Sequence, residues 1–570
     1  MNLNEVNNNA TSSRQLVLTH QVEMSTEEDK FVTFGPEPAE PLSDNTVGKE
    51  IFEKLLANST NDNALIDVFT GRTLSYKSLL QKSCELAEAL RSNGYTNNTI
   101  LSVCSENNLE FFIPVLASLF VGCIMVPISF NYESYEMNNI LNISKPKVIF
   151  CSNSVLSKVL HLKTRLSYLE NVIVIDCNEP VLEAENLDEF MRRSLKEKLV
   201  LPSNFQPLQG DSEKLGAFIL CSSGTTGMPK GVLLSHKNIM VTLLHSRDPR
   251  YSFNNATALG LMPFFHGYGL NIGLTAIANG QKLVILKRFE EDTFLKSIQD
   301  YGIPLLIIVP PLAVFLEKSS KVSKYDLSCV EEIICGAAPL SKNTELALRT
   351  RLKNLKLLRQ IYGLTETTFA LTRTDKDNKS PGSCGKIVSF MSCKVRNPQT
   401  GISLGPNQIG ELCFKGPLVM TGYYGNEEAT KEIFTPDGWL KSGDLGYYDE
   451  QKRFYIVDRL KELVKYKGYQ VSPSELEAVL LRHPKVRDVG VVGLPDEICG
   501  ELPLAFVVKI EEVTEAELQK YVASIVSPQK QLRGGVIFVS EIPKNPSGKI
   551  LRRELRDRLK SYNHNKNFNM

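Results

Sequence analysis

The sequence predicts an α/β protein in two unequal parts: a large N-terminal domain of mainly parallel, helix-covered sheets and a small, mobile α+β domain at the C-terminal end. Three observations carry this reading. Short β-branched runs alternate with helical stretches along most of the chain, and the runs are nearly continuous in apolar residues, as in strands buried on both faces. At 570 residues the chain exceeds what a single core holds. Beyond the polar run Asp458-Arg-Leu-Lys-Glu462 the charge density rises and the texture changes.

Taken in order, residues 1–34 are polar and asparagine-rich without an apolar period, and read as a disordered extension in which Met24 offers a second start. Leu80 to Ser92 and Glu291 to Tyr301 read as helices. Phe111 to Phe130 carries no charge and is long enough for a membrane span, but Pro114, Gly122 and Pro127 interrupt it. It is expected to be a buried helix running into a buried strand. Val148-Ile-Phe-Cys151, Val172 to Asp176, Lys282 to Leu286, Leu305 to Val309 and Glu332 to Cys335 are short, β-branched and bounded by turn residues, and are expected to be strands. The large domain is placed at 35–457, a hinge at 458–462 and the small domain at 463–570, with an amphipathic helix over Ser474 to His483 and a strand over Val489 to Val492.

Composition excludes several classes. With 42% hydrophobic and 23% charged residues the chain is ordinary for a globular protein, and a net charge of +1 argues against nucleic-acid binding through bulk charge. The 12 cysteines are scattered, with no Cys-x-x-Cys pair and no His-Glu-x-x-His, which suits reduced thiols rather than a zinc site or disulfide framework. The first 25 residues lack the apolar core of a signal peptide. The expected compartment is the cytoplasm.

Chemistry concentrates in four segments. Cys221-Ser-Ser-Gly-Thr-Thr-Gly-Met-Pro-Lys-Gly231 follows the strand-like Leu215 to Leu220. Its glycines free backbone N–H groups to face one anion, Ser222, Ser223, Thr225 and Thr226 add hydroxyls, and Lys230 adds a point charge. Such a loop suits a triphosphate. It is not a Walker A loop, because Gly224 and Gly227 are too close and Lys230 is followed by Gly231. Tyr362-Gly-Leu-Thr-Glu-Thr-Thr368 packs an aromatic ring, a carboxylate and three hydroxyls together; Trp439-Leu-Lys-Ser-Gly-Asp444 ends a turn on a carboxylate; Pro543-Lys-Asn-Pro-Ser-Gly-Lys549 presents a lysine on a stiff loop.

In this order the four segments resemble the adenylate-forming superfamily of acyl-CoA synthetases, above all the branch of beetle luciferases and plant 4-coumarate–CoA ligases. Cys104-Ser-Glu-Asn107, His245-Ser-Arg-Asp-Pro249, Gly336-Ala-Ala-Pro-Leu-Ser341, Lys465-Tyr-Lys-Gly-Tyr-Gln470 and Leu532-Arg-Gly-Gly535 extend the likeness. The resemblance implies three ligands, ATP, Mg²⁺ and CoA, together with a small carboxylic acid. ATP phosphates would lie in the Ser222–Gly231 loop, the adenine between Tyr362 and Gly336-Ala337-Ala338, and the ribose on Asp444 and Arg459. Glu366 would hold Mg²⁺ and Thr365 would sit at the α-phosphate. Lys549 would bridge the attacking carboxylate and that phosphate, and His266 would orient the acid. The small domain would then turn about Lys461, withdraw Lys549 and bring in Lys465 through Gln470, with Gly468 lining a thiol channel.

Substrate choice is expected from Thr242, Tyr268, Ile272, Gly363, Phe369 and Ala370. Luciferases carry arginine where this chain has Thr242, threonine at Ile272 and a small hydroxyl residue at Phe369. These changes favour an apolar tail, hence a medium- or long-chain fatty acid, over luciferin or a coumarate-like aromatic acid. Ile361 stands where close relatives have glycine. The ending Asn-Phe-Asn-Met570 is not a Ser-Lys-Leu-type peroxisomal address, which leaves the peroxisome of many relatives as the alternative to cytoplasm. No transmembrane segment is expected; peripheral membrane contact stays open, and a catalytically silent scaffold is disfavoured by the dispersed charged set.

Overall fold

The computed structural model describes residues 31–60, 65–177, 179–222, 229–251, 257–374, 380–545 and 548–567, with side chains as far as 559. The apolar runs of the sequence become two stacked sets of mainly parallel strands. One sheet of eight strands runs in the order Gly422–Tyr423, Lys230–Ser235, Gly216–Ser222, Ile124–Ile128, Ile100–Cys104, Val148–Cys151, Asn171–Val174, Glu185–Asn186. It is parallel from Gly216–Ser222 onward and antiparallel only at the Lys230–Ser235 end. A second layer holds the parallel trio Thr257–Gly260, Lys282–Ile285, Leu65–Asp67 and the parallel trio Leu305–Ile308, Glu332–Cys335, Leu357–Tyr362, which continues antiparallel into Thr372–Arg373 and Lys386–Ile387.

The expected strands of the large domain lie within one or two residues of their observed bounds, Val148–Cys151 and Glu332–Cys335 coincide with them, and the strand expected over Val489 to Val492 extends over Val486–Asp496. The helix expected from Leu80 begins at Tyr76, because the Ser75 side chain accepts from the Ser78 N–H and caps it earlier. The uncharged segment is a helix over Phe112–Val121 with all ten residues buried, closed by Gly122 at φ 87° and followed by the strand Ile124–Ile128. No helix among the described residues is long and apolar enough to cross a membrane.

A third sheet was not foreseen. Its six strands, Thr33–Phe34, Ser392–Arg396, Ser403–Leu404, Gly410–Lys415, Leu440–Tyr448 and Phe454–Arg459, are antiparallel throughout. Short turns rather than helices join most of them, which is what antiparallel pairing allows. Thr33 and Phe34 pair with Cys393 and Ser392, so the last residues of the segment expected to be a disordered extension form a strand.

The small domain is α+β. Val486–Asp496 pairs antiparallel with Gly500–Lys509, flanked by the hairpin Val464–Tyr466/Tyr469–Val471 and the parallel strand Gly535–Phe538. Helices Pro473–Leu480, Glu515–Ala523 and Arg552–Asn567 complete it. The run 458–462 is half strand, half turn: Asp458 and Arg459 end a strand paired to Leu445 and Asp444, and the chain turns at Leu460–Glu462.

Candidate active site

The site assembles where the carboxyl ends of the second-layer strands meet the third sheet. Gly336 follows the strand Glu332–Cys335, and a Cβ there would lie 2.7 Å from the Ile361 side chain. Ala337 takes φ 71°, a left-handed turn that carries the backbone past the Tyr362 strand end. Tyr362 donates to Asp444 at 2.8 Å, and Arg459, opposite Asp444 in the ladder, places Nε 3.3 Å from its other oxygen. Burial pushes the Asp444 carboxyl above its usual range even though Arg459 and Tyr362 pull it down. Burial also raises the Tyr362 phenol, so it stays a donor. The side chain of Glu411, unremarked in the sequence, accepts from the Gly443 N–H at 3.2 Å and braces the turn before Asp444.

The segment after Tyr362 is held by its own hydroxyls. Thr367 Oγ1 accepts from the Leu364 N–H and donates to the Leu364 carbonyl. Thr368 is at φ 65°, ψ −59°, and the Phe369 N–H reaches the Thr367 carbonyl at 2.6 Å, which makes a strained γ-turn. Thr368 Oγ1 anchors it on the Leu418 carbonyl at 2.8 Å. The turn holds Thr365 and Glu366 toward the phosphate side and sends Phe369 the other way. Glu366 accepts from the Tyr423 hydroxyl at 3.0 Å, and Lys230 Nζ lies 4.7 Å over the Tyr423 ring. The described end of the expected phosphate loop is thereby joined to the expected metal residue. Ser222 closes the strand on the other side, whereas Ser223, Gly224, Thr225, Thr226 and Gly227 lie outside the described residues.

His266 caps the helix Gly267–Ala278, its Nδ1 accepting from the Tyr268 N–H at 3.3 Å. Burial and the nearby Lys549 charge lower it to about 4, so it is a neutral imidazole. Asn107, in the Cys104–Asn107 segment, pins the approach to it by bonding the Gly260 and Met262 carbonyls and the Phe264 N–H. Lys549 comes from the small domain. Its backbone N–H and carbonyl both bond Asn545 at 2.8 Å, and a Cβ on Gly548 would lie 3.4 Å from Val309 of the large domain. Burial and Arg459 lower the Lys549 ammonium to about 8, opposed by Asp444 and Glu366. The structure therefore brings Lys549, His266, Glu366, Tyr362, Asp444 and Arg459 close to one another. Lys461 lies in the exposed turn, and Lys465, opposite Gln470, and Gly468 sit on the exposed hairpin, apart from this cluster.

Beyond Phe369 lies a cavity of about 50 Å³, bounded by Ile272, Asn271, Ile361, Phe369, Arg359 and Arg373 among others. Gly363 backs it: a Cβ there would overlap the Phe369 carbonyl at 1.7 Å. Ala370 is buried beside Phe369, and Tyr268 lies on the ring's other side at 5.8 Å between centroids. Thr242 does not border the cavity; it is buried in the helix His236–Arg247 with its hydroxyl 3.5 Å from the Asn238 carbonyl. A pocket favouring an apolar tail was expected, and two buried arginines, Arg359 and Arg373, border it. The signal was present as charged residues inside strand-like runs, Leu-Leu-Arg359 and Leu-Thr-Arg373.

One carboxylate, Glu366, joined through Tyr423 to Lys230, fits Mg²⁺, which is ordinarily held by one or two carboxylates together with substrate phosphates. No cluster of three ligating side chains occurs among the described residues, so the site does not fit a metal caged by protein alone. The site thus combines a charged cluster around Lys549, Asp444 and Arg459 with a partly open cavity bordered by Phe369 and Ile272.

An AMP-binding enzyme family model matches residues 52–424, and the AMP-binding enzyme C-terminal domain model matches residues 475–549. The chain belongs to this family and is an adenylate-forming enzyme. A luciferin 4-monooxygenase of Photuris pensylvanica is 45% identical over 542 residues, 94% of this chain and 99% of that protein. A 4-coumarate-CoA ligase of Narcissus pseudonarcissus is 36% identical over 507 residues, 87% of this chain and 90% of that one. The solved structure of a red-emitting luciferase from Phrixothrix hirtus superposes with a TM-score of 0.71 at 40% identity, covering 93% of this chain and 99% of that one.

Proposed function

We propose that the protein is an AMP-forming acid–thiol ligase that activates a medium- or long-chain fatty acid with ATP and passes the acyl group to CoA. The observation that carries this is Lys549, a buried cation delivered by the small domain into a cluster with Asp444, Arg459, Glu366 and His266. A carboxylate and a triphosphate repel each other, and a positioned cation at the meeting point lowers that cost in the transition state. The acid oxygen attacks the α-phosphorus, the bond to the β-phosphate oxygen breaks, and pyrophosphate leaves. Tyr362 and Asp444 hold the nucleoside, while Lys230, Thr365 and Glu366 face the phosphates. Mg²⁺ bound at Glu366 would supply charge neutralisation of the departing pyrophosphate.

His266, neutral and fixed through Nδ1, leaves its Nε2–H to donate to a carboxylate oxygen. Rotation about Lys461 would exchange Lys549 for the Lys465–Gln470 hairpin, whose Gly468 at φ 81° leaves open space for the thiol arm. The thiolate then attacks the acyl carbon and AMP leaves. Phe369 and Ile272 on the pocket wall support an aliphatic chain over luciferin or coumarate. All twelve cysteines are free, which supports a reducing compartment such as the cytoplasm.

The test is pyrophosphate release with ATP, Mg²⁺ and CoA over hexanoate to palmitate, coumarate and luciferin, alongside light emission with luciferin. Release driven by the fatty acids and lost in Lys549→Ala upholds the ligase. Release with luciferin alone, accompanied by light, would replace it with the oxygenase reading that the 45% relative suggests.

A further inference from the structure

The wall of the cavity contains a buried cation, Arg373, with no hydrogen-bonded carboxylate among the described residues. Arg373 is 6% exposed and lies opposite Ile361 in the antiparallel pair, so its side chain shares the face of Ile361 and Arg359 that borders the cavity. Its guanidinium rests between two rings, 5.5 Å from the Phe369 centroid and 5.6 Å from that of Tyr251. Its buried Nε has no hydrogen-bond partner among the described residues. Among the described carboxylates, Glu332 pairs with Arg359, and Asp248 attracts Arg373 through space but is hydrogen-bonded to Arg250, through Nε at 2.8 Å and again through Nη2. His245, the other titratable group at this end, is held at about 3 by burial and Arg373, and adds no negative charge.

An isolated guanidinium in a buried, ring-lined space is costly unless an anion joins it. The rings stabilise it only partly, by cation–π contact. Asn271 adds a polar neighbour on the same wall, its Nδ2 turned to the Gly267 and Thr368 carbonyls. We propose that the acid activated here carries a second carboxylate at its far end, and that Arg373 is the specificity-determining residue that receives it. The substrate class is then an α,ω-dicarboxylic acid of medium length, one carboxylate at Lys549 and His266, the aliphatic chain along Ile272 and Phe369, the other carboxylate on Arg373. This rests on the adenylation reading above and narrows its substrate.

Paired acids of equal length test it: decanoate, 10-hydroxydecanoate and sebacate, with pyrophosphate release measured for the native enzyme, Arg373→Met and Arg373→Gln. The native enzyme is expected to use sebacate at least tenfold better than decanoate in kcat/KM, with the hydroxy acid between. Both variants should lose that preference, sebacate falling at least tenfold relative to decanoate in kcat/KM. Native enzyme that uses decanoate as well as sebacate overturns the proposal, as does an Arg373 variant that loses every acid alike. Should no acid drive pyrophosphate release, adenylation itself has failed, and thermal shift with each acid plus AMP decides separately. A larger shift with sebacate than with decanoate, abolished in Arg373→Gln, keeps Arg373 as the carboxylate receptor. Equal shifts remove it.

Discussion

Lys549 sits among charges that pull in opposite directions, and their balance sets a pH dependence. Burial and Arg459 favour its neutral amine, Asp444 and Glu366 favour the ammonium, and the outcome is about 8 against an ordinary 10.5. Adenylation needs the ammonium, so kcat/KM for the acid should fall as pH rises through about 8. Lys549→Arg keeps its charge over this range and should lack that limb at a lower plateau. A native profile flat to pH 10 would show that the proton on Lys549 does not govern the step. Lys549→Ala should slow acyl-adenylate formation about 10²–10³-fold, the loss typical of one transition-state donor. Thioester formation from supplied acyl-adenylate should be nearly unchanged, because Lys549 has no part in that half. Tyr362→Phe removes a 2.8 Å bond to Asp444 and leaves the packing ring, so it should raise KM for ATP severalfold with little change in stability.

At the scale of the element, the turn Gly363–Phe369 decides which atoms face which cleft. The γ-turn at Thr368 costs energy and is held by the Leu418 and Asn271 contacts. Gly363 lets the strand end lie directly under the Phe369 carbonyl. Gly363→Ala forces these backbones apart, and the expected cost is at least about 2–3 kcal/mol of stability, as for other core overpacking. Urea unfolding would check it; a change under 0.5 kcal/mol would mean that the turn yields freely. The sequence displayed this element well as chemistry and poorly as geometry. Tyr362, Thr365 and Glu366 were legible because their types cluster, whereas the reversal at Thr368 depends on partners in remote segments, Leu418 and Asn271. Parallel strands were legible from continuous β-branched runs. The antiparallel sheet over 392–459 was not, because strands such as Leu440–Tyr448 carry lysine, aspartate and two glycines in nine residues. Thr242 and Arg373 show the same limit in the pocket: a residue's distance along the chain from a motif does not tell which cleft it faces.

At the scale of the molecule, the arrangement with Lys549 in the site is held by a few polar bonds between the domains. Asp458, at the end of the last large-domain strand, accepts from Ser472 Oγ at 2.6 Å and from the Ser474 N–H at 3.0 Å, at the start of the helix Pro473–Leu480. A carboxylate there satisfies free helix N–H groups and meets the positive end of the helix dipole. Lys318 of the large domain donates to the Leu481 carbonyl at 3.0 Å at the other end of that helix. The proposed rotation about Lys461 would break both sets, whereas the Arg552–Glu477 pair, with both contacts at 2.8 Å, lies within the small domain and would travel with it. Asp458→Ala should therefore weaken the Lys549-in arrangement relative to the rotated one. Each 1.4 kcal/mol lost from these bonds shifts the ratio about tenfold. Acyl-adenylate formation should fall by up to about tenfold, and thioester formation from supplied acyl-adenylate should hold steady or rise. The two half-reactions, timed separately in the native enzyme and in Asp458→Ala, distinguish this from general loss of structure, which would lower both together. Lys318→Ala, acting on the same interface from the far end of the helix, should move the two rates in the same directions by a smaller factor, because an exposed lysine donating to carbonyls contributes less than a buried carboxylate at a helix start.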